Sequence, residues 1–154
     1  MIALLDTPVL LNLEAGDDAT LVACQKLMAG NHSTRFLPIS SHEIIDFSVR
    51  ENSNVGLHFL SKARSYGLLR VELNGVELDL AKTLADKLVE AKVVTTDTTA
   101  HLIAEASVFK QSVGQEVFIV STTPIINRLH GAKIAAVTES QELPEVRLIS
   151  LAKI

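Results

Sequence analysis

The chain contains no tryptophan, one tyrosine and one cysteine, and aromatic residues make up only 4% of it. The lone cysteine, Cys24, excludes an intrachain disulfide and fits a reducing compartment. With so few rings the core must be aliphatic, and the 47% hydrophobic content can supply it. No apolar run approaches the ~18 residues of a membrane span. No basic segment precedes the first apolar residues, so a signal peptide is not expected either. Basic residues are scarce, 14 against 18 acidic, and the net charge is −4. That argues against a broad electrostatic grip on nucleic acid or an anionic membrane, although it leaves room for a local basic patch. GxGxxG, P-loop, HExxH and GxSxG motifs are all absent, which disfavours dinucleotide, nucleoside triphosphate, zinc-protease and serine-hydrolase chemistry. The 154 residues suit a single cytoplasmic domain spanning 1–154.

What is present alternates short apolar runs with helical patterns. Residues 2–5 form a continuous apolar run, the mark of a strand buried on both faces. Pro8 starts a helix to about Glu14, and a second helix runs from Asp17 to about Ala29 with Leu21, Cys24, Leu27 and Met28 inward. "RFLPIS" reads as the next strand, imperfectly paired because of Pro38. "SSHEIIDFSVREN" reads as a helix capped by Ser40, with Ile44, Ile45, Phe47 and Val49 wholly or partly inward. A further helix over 54–66 ends at Gly67, and "LLRVEL" suggests a short strand. The spacing of Val76, Leu80, Leu84 and Leu88 predicts a helix over 76–92, and a long one follows to Val113 before Gly114. "FIVSTTPIINRL" is a buried strand entering a helix at Thr123–Pro124. "KIAAV" and "VRLISL" complete the chain as extended pieces. Strands alternating with helices imply right-handed crossovers and a mostly parallel α/β sheet covered on both faces. Ligands in such sheets sit beyond the carboxyl ends of the strands.

Three acids stand near those ends. Asp6 closes the first strand, Glu43 lies in the first turn after the second, and Asp97 begins the long helix. Converging carboxylates repel unless a cation neutralises them, so a cluster of the three implies Mg²⁺ or Mn²⁺. Such a metal could orient a water and stabilise a pentavalent phosphate, giving phosphodiester hydrolysis. Each acid also has a structural reading: Asp6 as a helix start, Glu43 as the partner of Ser40 in a capping box, Asp97 as a first-turn acid.

"LLDTPVLLNL", "PISSHEIIDF", "TTDTTAHLIAEA" and "VSTTPIINRLHG", in this order and spacing, resemble a PIN domain over nearly the whole chain. The resemblance implies a three-layer α/β/α sandwich with a central parallel sheet. It also implies a Mg²⁺- or Mn²⁺-dependent ribonuclease, in many members the toxin of a toxin–antitoxin pair. The family's first three acids match Asp6, Glu43 and, less closely, Asp97; family spacing would put the third near Ala100. The fourth would fall on Thr123, where no carboxylate stands. Ser121 and Thr123 hydroxyls are then candidates for orienting water or contacting phosphate, with Thr123 alternatively a helix cap. The partners implied are RNA, an antitoxin-like protein and a second copy of the chain, for which Leu57, Phe59 and Leu60 offer a face if they are not core. The second reading is a PIN domain without an active site that binds RNA or protein.

Overall fold

All four residues of the first strand, β1 (Ile2–Leu5), are buried. In the computed structural model, which describes residues 1–94 and 96–154, β1 is the middle of a five-stranded, fully parallel sheet. It pairs with β2 (Ser33–Phe36) on one side and β4 (Val117–Ser121) on the other. Beyond them lie β3 (Leu69–Arg70) and β5 (Arg147–Ser150), giving the order β3-β2-β1-β4-β5. Side chains alternate between the two faces of a strand. Ile2, Leu4, Val117 and Ile119 therefore enter one apolar cluster, while Ala3, Leu5, Phe118 and Val120 enter the other.

The first cluster is covered by α5 (Gly75–Glu90), α6 (Asp97–Val113) and α8 (Gly131–Ser140). The second is covered by α1 (Thr7–Glu14), α2 (Asp18–Ala29), α3 (Pro38–Arg50) and α4 (Val55–Lys62). This is the expected three-layer α/β/α architecture. Cys24 is buried in the second cluster, as anticipated. Among the described residues, no helix is long and apolar enough to cross a membrane.

Local differences from the sequence reading have physical causes. The second strand stops at Phe36, and Pro38 opens α3 rather than ending a strand. Proline lacks an N–H and suits the first helical position, where none is needed. The shift puts Ser40 inside the helix. The N-cap is Leu37, which makes no side-chain capping bond, so the predicted Ser40–Glu43 capping box does not form. "KIAAV" lies in α8 instead of a strand, and that helix buries Ile134 and Thr138 one turn apart. Short apolar runs are ambiguous in this way. The inward faces also rotate. Ile44 and Ser48 face inward on α3 while Val49 is 73% exposed, and α5 buries Ala81, Leu84, Ala85 and Leu88 while Val76 is 78% exposed. Of Leu57, Phe59 and Leu60, Phe59 alone is fully buried.

Helices α3 and α4 cross at a glycine. A Cβ on Gly56 would lie 2.2 Å from Ser48 Oγ and 2.7 Å from Ile44 Cγ2. Gly56→Ala should gain helix propensity yet force the helices apart. A net loss of about 1–3 kcal/mol is expected, read as a Tm lowered by roughly 3–10 °C. An unchanged Tm would mean that the crossing relaxes freely.

Candidate active site

Parallel pairing sets the geometry of the sheet's carboxyl edge. Leu5 is in register with Val120, and the Asp6 N–H continues the ladder to the Val120 carbonyl at 3.0 Å. Asp6 thereby stands beside Ser121 at the end of β4. It is 5% exposed, and both its oxygens are engaged: Oδ1 accepts the Thr7 N–H at 2.7 Å, and Oδ2 accepts the buried Ser121 hydroxyl at 2.6 Å. It is also the N-cap of α1, so the structural role is real, and each of its oxygens keeps capacity to accept beyond the one bond it takes from Thr7 or Ser121.

Glu43 comes from the second turn of α3. Freed from the capping box, its Oε1 accepts the Thr7 hydroxyl at 2.6 Å. Thr7 thus touches both carboxylates, Asp6 through its backbone and Glu43 through its side chain. The second oxygen of Glu43 has no hydrogen-bond partner among the described residues. Both acids line one cleft of about 270 Å³ with Thr98, Thr99, Leu102 and Arg128.

Burial pushes the Asp6 carboxyl above the usual range, opposed in part by the bonds from Ser121 and Thr7. Burial also raises Glu43; the Thr7 bond lowers it, the Asp6 charge raises it further, and His42 opposes. A cation between the two would relieve the desolvation and the repulsion together. Mg²⁺ retains several waters and needs only one or two protein carboxylates, so this donor set fits a single hard divalent ion.

Asp97 does not join the pair. It is the first residue of α6, exposed, and lies with Asp86, Glu90 and His101 in a separate depression against α5. Helical phase explains this, since positions 97 and 101 share one face while 98, 99 and 102 share the face toward Asp6. Ala100, where family spacing would place the acid, is fully buried in the core. Among the described residues, no three acidic, histidine or cysteine side chains come close enough to hold one ion. Thr123 is likewise turned away. The N-cap of the short helix α7 (Thr123–Ile126) is Thr122, and the Thr123 hydroxyl bonds Ser150 Oγ on β5 at 2.5 Å.

Two contributors escaped the sequence reading. Thr7, within "LLDTPVLLNL", carries no motif that marks it as a bridge between two carboxylates. Glu105 is buried within a mostly apolar stretch of α6, and its carboxylate accepts the Ile39 N–H in the first turn of α3 at 2.9 Å. Burial, against that one bond, pushes its pKa up to about 7. The signal was an acid in the middle of the apolar run "LIAEASVF".

No family model matches the sequence, and no curated protein matches it. Solved structures do match in fold. A chain in the crystal structure of VapBC2 from Rickettsia felis bound to a DNA fragment from its promoter aligns over 97% of this chain and 98% of its own, with TM-score 0.64 and 14% identity. A chain of VapBC-1 from nontypeable Haemophilus influenzae aligns over 99% of both, with TM-score 0.56 and 10% identity. The shared feature is the PIN-like fold that the sequence motifs resemble.

Glu105 gives a pH signature. Below about pH 4.5 it is protonated in the folded and unfolded chain alike. As pH rises toward 7 the unfolded chain releases the proton first, so this residue lowers stability across that window and lowers it fully above 7. Glu105→Gln keeps an oxygen for Ile39. It should add roughly 2–3 kcal/mol at pH 8 and almost nothing at pH 4.5, measured by urea unfolding. An equal gain at both pH values would show that Glu105 is not titrating.

Proposed function

From this PIN-like fold we propose that the chain is a metal-dependent ribonuclease of PIN type, and the toxin member of a toxin–antitoxin pair. The observation that carries the reading is the convergence of Asp6 and Glu43, tied through Thr7, at the carboxyl edge of a parallel sheet. Asp6 and Glu43 would hold Mg²⁺ or Mn²⁺, which when bound supplies a Lewis acid for water activation and charge shielding at an RNA phosphate. The remaining work falls to the chain. Ser121 and the Thr7 N–H lock the Asp6 carboxylate in orientation. The Thr7 hydroxyl holds one oxygen of Glu43, a residue that lines the cleft. Thr98 and Thr99, across the cleft, offer hydroxyls to a phosphate or a water. An antitoxin-like protein and a second copy of the chain are the proposed partners, by analogy with the VapBC complexes that share the fold.

The second reading is a PIN domain that binds RNA or protein without cutting. It is favoured by the position of Asp97 outside the cleft and by Thr123 in place of a fourth acid. The two readings separate on metal binding.

The nuclease reading expects RNA cleavage that requires added Mn²⁺ and a Tm raised by several degrees in Mn²⁺. Asp6→Asn should abolish both. Without metal the same substitution should raise the Tm, because it removes a buried charge whose carboxyl is already pushed up. Cleavage that survives in Asp6→Asn would refute the assignment. Asp97→Asn tests the two-carboxylate site separately. It should leave the Mn²⁺ shift intact, and loss of the shift would bring Asp97 back as a ligand.

A further inference from the structure

We propose that Arg128 is the phosphate-anchoring residue of this cleft, holding the phosphodiester of an RNA strand opposite Asp6 and Glu43. This inference rests on the nuclease reading and extends it to a binding residue. Arg128 follows α7 in a turn whose backbone N–H bonds the Ile125 carbonyl at 3.2 Å. Ile125 and Leu129 flank it on the cleft wall, and Leu129 packs against the core, so the turn is anchored. Arg128 is the one basic side chain lining the cleft among the described residues. It is exposed and forms no ion pair there, whereas Arg50 and Arg70 are paired with Asp46 and Glu72.

Charge balance points the same way. Two carboxylates and one divalent ion cancel. An incoming phosphodiester then adds one negative charge to a partly enclosed site, where unbalanced charge is costly. This cleft has two acids, and the guanidinium supplies the missing positive charge. Arginine also offers paired N–H donors that match two phosphate oxygens. The overall net charge of −4 argues against a broad electrostatic grip on the strand, which makes a cation placed beside the carboxylates more important.

The test is binding of a fluorescein-labelled uridine dodecamer, followed by fluorescence anisotropy across a salt series with Ca²⁺ present and the oligonucleotide checked intact afterwards. Arg128→Ala should weaken binding about tenfold and reduce the slope of log K against log salt by about 0.7, one phosphate contact on a single strand. Arg128→Lys should recover part of the affinity and all of the slope, since it keeps the charge and loses the fork. Arg64→Ala, in a different depression beside β3, should match the wild type. Wild-type affinity and slope in Arg128→Ala would overturn the proposal, and so would no binding by the wild type. The Mn²⁺ melting shift should persist in Arg128→Ala, which keeps the two ideas separable. If the wild type shows no Mn²⁺ shift while Arg128→Ala still loses affinity and slope, the nuclease reading falls and the anchoring role stands.

Discussion

Four apolar residues at the centre of the sheet constrain most of what surrounds them. Ile2 to Leu5 are paired on both edges and buried on both faces, so neither their register nor their direction can slip without exposing a core. The residue after them has to emerge at the carboxyl edge between its two neighbours. That residue is Asp6, and its ladder bond to Val120 leaves it beside Ser121. The first helix then begins at once, which puts Thr7 within reach of α3. The carboxylate pair is therefore a consequence of the central strand more than of any motif around Glu43.

The fold bears an electrostatic cost at this end. Asp6, Glu43 and Glu105 are all held above their ordinary carboxyl range, chiefly by burial. Hydrogen bonds from Thr7, Ser121 and Ile39 offset part of that cost without cancelling it. Two of the acids open on the same cleft. The third secures the first turn of α3, the helix that carries Glu43. Buried carboxyls with raised affinity for protons also have raised affinity for cations, and such groups gather at sites of chemistry more often than at purely structural ones.

The departures from the family pattern are coherent when read as charge. Asp97 faces α5, Ala100 is core, and Thr123 is bonded to Ser150. Hydroxyls of Thr98 and Thr99 and the guanidinium of Arg128 line the walls of the cleft that holds Asp6 and Glu43. A cleft of this composition asks for fewer cations and offers one of its own.

The sequence by itself determined the layers and the parallel sheet, because continuous apolar strands alternating with helices have few other ways to bury themselves. It also put Asp6 just after the first strand and Ser121 at the end of "FIVS", and both stand there. It misjudged elements whose choice depends on neighbours: Pro38 as strand instead of helix start, and "KIAAV" as strand instead of helix. The phase of a helix about its axis is not contained in the residues of its first turn. Whether Asp97 or Thr98 meets Asp6 is decided by how α6 seats its almost wholly buried middle between α5 and the sheet. Only the tertiary structure could turn Glu43 from a cap into a partner of Thr7, bury Glu105 against α3 and bring Arg128 to the cleft. Those contacts join residues 36, 66 and more than 80 positions apart, and distance along the chain carries no information about which way a side chain faces.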